Sequence, residues 1–303
     1  MVAAILCLVV TMGSSLSVSG VPKIVERYDL NQTLALSGLT FYLLGLSTVI
    51  GAPLSEVFVH KPVYLFFLPI SMLLAMGVGL SNGHMRIILH LRFLAGVFAS
   101  PALSVGSGTI LDVFDMDEVP VALTFFCLAP FLGPVIIHVI AGFAAEKQGW
   151  RCSEWIQLVA DGLLLPFTFL MLNTHKTIIL RKRTIKKKMN LKKTTSEEYK
   201  AFLKITFTIT IFRPLKILVV EPIVLVFSIY VAFNFAVLFA FFEAYPVIYT
   251  GVYHTNQGIQ GLTFIGIGIG LWIGSFVYLY IDRSHLFPAP AAGTPFLSKT
   301  LQL

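Results

Sequence analysis

Eight predominantly apolar stretches run through this chain, at about 2–21, 34–57, 62–81, 86–111, 119–144, 154–172, 218–242 and 259–281. Each approaches the roughly 20 residues that an α-helix needs to cross a hydrocarbon core about 30 Å thick. Eight of them in 303 residues leave little chain for anything else. The chain is 56% hydrophobic and 12% charged, against about 45–50% and about 25% in soluble domains. Too few polar groups remain to cover a water-soluble globule, so lipid must cover part of the surface. Inside lipid every backbone group must be satisfied internally, and apolar runs of this length do so as helices. The expected fold is an all-α membrane protein.

The connectors carry the charge. Pro22 to Asp29 is expected to be a short polar link, Asp112 to Glu118 an acidic turn, and Glu146 to Glu154 another short link. The long connector, 173–217, separates six spans from two. Between Asn173 and Lys200 it holds ten Lys/Arg and two Glu, a balance of +8 that exceeds the +7 of the whole chain. A surplus confined to one loop argues against nucleic-acid binding and for a cytoplasmic loop under the positive-inside rule. That orientation places the N-terminus in the cytoplasm and turns the link with Asn31-Gln32-Thr33 outward, where Asn31 is a candidate glycosylation acceptor. Residues 199–212 read as a helix lying at the interface, and 284–303 as a disordered tail.

Within the spans, a few residues stand out. Gly51-Ala-Pro-Leu-Ser-Glu56 ends the second span with a small residue for close helix approach and an acid at the rim. Arg92 lies inside the fourth span, where an arginine must face the bundle interior or water, or snorkel to the interface. Gly133, Pro134 and Gly142 in the fifth span allow bending and close approach. His138 beside them is either a protonatable group or a satisfied structural residue. Glu221-Pro222 forms a helix start, with an acid and a proline in favourable positions. Glu243, near the far end of the seventh span among Phe and Tyr, is either a cation-attracting carboxylate or an interface residue. Gly266, Gly270 and Gly274 recur every four residues and read as a packing face. No Walker loop, zinc spacing, nucleophile elbow or flavin fingerprint occurs in the sequence, so neither an enzyme nor a cofactor is expected.

Taken in order, these pieces resemble the fungal drug:proton antiporters of the major facilitator superfamily, in the twelve-helix branch that includes multidrug and polyamine exporters. Six spans, a basic loop and further spans is that superfamily's layout. Gly51 to Glu56 resembles the branch's signature between helices two and three. Arg92-Phe-Leu-Ala-Gly96 resembles its helix-four arginine motif. Ala129 to Pro134 with Gly142-Phe143 resembles its helix-five antiporter motif. Glu221-Pro222-Ile223 with Phe241 to Pro246 resembles its helix-seven pattern. Three departures are visible: Val59-His60-Lys61-Pro62 stands where the family has Gly-Arg-Arg-Pro, Ile137-His138 where it has a second Gly-Pro, and the acidic Asp115-Met-Asp117-Glu118 where it has a basic-Gly pair after helix four.

The resemblance implies a major facilitator-type helical bundle holding about eight of the usual twelve helices: a six-helix bundle at 1–172, a cytoplasmic loop at 173–217, the first two helices of an incomplete second bundle at 218–283, and the tail. It implies alternating-access export of drugs or polyamine-like organic cations in exchange for protons, in the plasma membrane, with lipid as the surrounding partner and without cofactor or nucleic acid. Arg92 would serve proton coupling, Glu243 would attract substrate, Gly133, Pro134 and Gly142 would form the antiporter motif, and Gly51 and Glu56 the cytoplasmic gate. The rival expectation is a truncated, transport-inactive remnant of such a transporter.

Overall fold

The computed structural model describes residues 2–47, 60–114, 118–170 and 216–286. Among them the chain is helical, with no strand. We number the helices α1 (Val2–Tyr28), α2 (Gln32–Leu46), α3 (His60–Leu80), α4 (Met85–Ala99), α5 (Pro101–Val113), α6 (Val119–Gln148), α7 (Trp150–Leu170), α8 (Pro222–Gly251), α9 (Gln257–Leu262) and α10 (Ile265–Ile281), closed by a π-turn at Asp282–Leu286. Six runs of helix are long and apolar enough to cross a membrane: α1, α3, α4 with α5, α6, α8, and α9 with α10. The other two expected spans are α2, apolar but 15 residues long in the described part, and α7, which carries Arg151, Glu154 and Asp161. Gly51 and Glu56 lie outside the described residues, as do the expected interfacial helix and most of the basic loop.

Several boundaries differ from expectation, each for a local reason. The polar link after the first span is helix: α1 continues to Tyr28. Pro22 removes one ladder bond, but Val21 and Ile24 are buried against Ala35, Met85 and Trp150, and Lys23 Nζ donates to the Glu146 carbonyl. Tertiary packing holds the turn that composition assigned to a loop. The link between the fifth and sixth spans shrinks to Gly149, whose φ of 88° breaks the helix where other residues would be strained. The fourth span is two helices. Pro101 has no N–H to return to Val97, and Ser100 N bonds both Gly96 O and Val97 O at 3.0 and 3.4 Å, the geometry of a kink.

The first six spans pack around α1, which touches α2, α5, α6 and α7. Close approach of backbones sets the α2–α4 crossing. A Cβ on Gly45 would lie 2.1 Å from Phe93 O, and one on Gly96 would lie 2.2 Å from Tyr42 O. Small residues at such crossings let dispersion contacts between helices replace those with lipid. The later helices hang from α6, through α9 and α10, while α8 touches α1 and α9. Their own core is Phe242 and Phe264, both fully buried, against Val135 of α6. The glycine stripe does not pack as expected. Among the described residues nothing lies within 4 Å of a Cβ placed on Gly266, Gly270 or Gly274, whereas Gly268 between them meets Val135.

Candidate functional site

The inward face of α4 carries Ile88, Arg92, Ala95, Gly96 and Ala99, a helical repeat interrupted by one charge. Arg92 is 3% exposed, so it faces the bundle interior and does not snorkel. Its guanidinium is ion-paired with Glu154 of α7, and Nη1 donates to Gly13 O of α1 at 2.8 Å. Taking both charges out of water costs several kcal/mol each, which their mutual attraction and added hydrogen bonds offset only if geometry is good. Here the pair is sealed in by α1, α2 and α3.

Glu154 begins a polar face on α7. Gln157 and Asp161 follow at i+3 and i+7, and all three are buried. Gln157 Nε2 donates to Val9 O at 2.7 Å and lies 3.2 Å from both Asp161 oxygens. On the facing helices, Tyr42 Oη donates to Val10 O at 2.9 Å and Ser71 Oγ to Ala95 O at 3.1 Å. Together these groups surround a cavity of about 10 Å3, room for about one water molecule. Of this cluster only Arg92 stands out in the sequence motifs. Glu154, placed by composition at the edge of a connector, lies in the second turn of α7. Acidic groups at that spacing inside an apolar run were the available signal.

Glu243 sits elsewhere. It is half-buried on α8 and lines a cleft of about 490 Å3 between α8 and α2, with Phe239 and Ala240 on one wall and Thr40, Leu43 and Ser47 on the other. Among the described residues it has no hydrogen-bond or ion-pair partner. The two sites lie on opposite faces of α2: Tyr42 points to Arg92, while Leu43 points to Glu243.

The helix-five motif residues mark two interfaces. A Cβ on Gly133 would lie 2.4 Å from Leu8 O and Thr11 Oγ1 of α1, so α1 and α6 touch there. A Cβ on Gly142 would lie 2.7 Å from Gln257 O, so α6 and α9 touch there. The second contact is reinforced by Gly258 N–H, which donates to Glu146 Oε2 at 2.9 Å. Pro134 accepts a 2.6 Å hydrogen bond from His138 Nδ1, and the imidazole stacks on Phe264 with ring centres 4.0 Å apart. His138 is thus half-satisfied, its Nε2 buried without a partner. Asn31 is exposed and caps α2, its Oδ1 accepting from Thr33 N at 3.0 Å.

The family model "Major Facilitator Superfamily" matches residues 3–297. The chain is 72% identical over 299 residues to Polyamine transporter 4 of Saccharomyces cerevisiae, covering 99% of this chain and 45% of that protein. It is 31% identical over 285 residues to the cycloheximide resistance protein of Candida maltosa, covering 89% of this chain and 51% of that one. The chain therefore spans about half the length of the curated relatives it matches. Among solved structures, a D-xylose-proton symporter superposes with a TM-score of 0.60 at 15% identity, over 92% of this chain and 68% of that one, a likeness of fold.

Proposed function

The chain belongs to the Major Facilitator Superfamily, and we propose that it exports polyamine-like organic cations or cationic drugs in exchange for protons by alternating access. Glu243 carries the reading: a carboxylate with no cationic partner among the described residues, on the wall of a cleft of about 490 Å3, within the size range of small-molecule sites. Thr40 and Ser47 on the opposite wall offer hydroxyls to a bound ammonium, and Phe239 offers apolar contact for a methylene chain. The 72% identity to a polyamine transporter supports a cationic substrate.

In this reading Arg92 and its ion pair serve proton coupling, because an interior charge network is where a membrane protein handles ions. Gly133, Pro134 and Gly142 keep α6 close to α1 and α9, so that one bundle, 1–172, rocks against the helices of 218–283. Gly51 and Glu56 belong to the cytoplasmic gate. The basic loop, 173–217, faces the cytoplasm together with the N-terminus, and the membrane is the plasma membrane.

The test is accumulation of labelled spermidine by acid-inside vesicles containing only this chain. The proposal expects uptake that collapses when the pH gradient is dissipated. Uptake equal to that of empty vesicles sinks it and leaves the transport-inactive alternative standing.

A further inference from the structure

Two carboxylates face the cavity beside Arg92, and their surroundings differ. Glu154 holds the guanidinium. Asp161, about two turns further along the same face of α7, has among the described residues only the Gln157 amide, 3.2 Å from each of its oxygens. The ionisable groups around the cavity are Arg92 from α4, Tyr42 from α2, and Glu154 and Asp161 from α7. Among the described residues the other surrounding helices present none to it: α1 contributes Val10, Gly13 and Leu16, and α3 contributes Ser71 and Ala75. On the remaining side α6 packs Ile137 and Ala141 against α1 and α7. With both carboxylates ionised, these groups would carry one negative charge beyond the single cation.

That imbalance sits in a space with specific dimensions. About 10 Å3 holds one water molecule and excludes an alkylammonium. Two polar atoms at the cavity wall, Gln157 Oε1 and Arg92 Nε, are buried without partners. Asp161 and Gln157 are themselves more than nine-tenths buried. We propose that Asp161 is the group that binds and releases the transported proton, and that the Arg92–Glu154 pair serves the coupling by holding the cavity wall around it. A hydronium ion gives its proton to an Asp161 oxygen, forming O–H and leaving water. On the other side of the transport cycle the same O–H bond breaks and the proton returns to water. This assignment deepens the proton-coupled reading and rests on it.

The experiment titrates the purified chain in lipid vesicles by infrared difference spectroscopy, over the neutral to mildly acidic range in which exposed carboxylates stay ionised. Samples carry heavy carbon in the side-chain carboxyl of either aspartate or glutamate. The expected result is a protonated-carboxyl band that grows on acidification, shifts with labelled aspartate, does not shift with labelled glutamate, and is lost in Asp161→Asn. No such band, a band that shifts with the glutamate label, or one that survives in Asp161→Asn overturns the assignment. The labelling arm needs no variant, so a band that is absent or that shifts with the glutamate label overturns the assignment even if Asp161→Asn fails to fold. Transport separates the two claims. If the unmodified chain shows no gradient-driven accumulation, the exporter reading fails. If accumulation persists unchanged in Asp161→Asn, the Asp161 assignment fails alone.

Discussion

Replacing Arg92 by methionine removes the one cation among the residues lining the cavity and leaves Glu154 buried without it. Both partners are about 95% or more buried, so solvent screening offers little relief. Breaking such a pair from one side costs about 3–5 kcal/mol, whereas replacing both partners with apolar groups of similar size is often neutral or better. Losing the donor to Gly13 O adds about 1 kcal/mol. We therefore expect Arg92→Met to lose about 4–6 kcal/mol, roughly a thousand- to twenty-thousand-fold shift in the unfolding equilibrium. Adding Glu154→Leu should recover most of that loss. Unfolding in mixed micelles, followed by the fluorescence of the three tryptophans, reads both. An Arg92→Met protein within about 1 kcal/mol of the parent, or a double variant no more stable than the single, would refute the pairing argument.

Three further outcomes follow from the geometry. Gly142→Ala should loosen α9 from α6, because its Cβ meets backbone at 2.7 Å, while Gly270→Ala, with nothing within 4 Å, should not. Limited proteolysis at 252–256 should accelerate in the first variant alone, and equal rates would show that the glycine contact is dispensable. Expressed in a eukaryotic host, the chain should show an endoglycosidase-sensitive mobility shift that Asn31→Gln abolishes. An unglycosylated Asn31 would count against an outward link, and Asn31→Ala should separately cost about 0.5–2 kcal/mol through loss of the α2 cap. Glu243→Gln should raise the half-saturating polyamine concentration about tenfold or more, since a hydrogen bond to a charged group is worth about 1.5–3 kcal/mol. An unchanged value in a transport assay would remove Glu243 from the substrate site.

The spans are legible because the bilayer fixes their length and the backbone leaves few alternatives. What lipid does not dictate was harder to read. The turn beyond Pro22 is helical because of partners more than a hundred residues away, such as Glu146, and no local window contains them. The Ser100-Pro101 break was visible in composition, yet an apolar run of that length passes for one helix. The spacing of Gly266, Gly270 and Gly274 announces a smooth face but not which neighbour meets it, and Gly268 makes the contact. Arg92 declared itself as a charge in an apolar run. Glu154, Gln157 and Asp161 obey the same rule and were readable by it, but the nearby charged connector masked the first of them. The cleft at Glu243 depends on how α8 stands against α2, a tertiary fact that no motif encodes.

The most direct test of proton-coupled cation export measures both ions at once. Acid-inside vesicles containing only this chain, loaded with a pH-sensitive dye, receive labelled polyamine from outside. The account predicts that label enters and the lumen turns alkaline in step, and that both signals are lost together in Asp161→Asn. Polyamine entry without proton movement would contradict the coupling, and no entry at all would contradict transport by this chain.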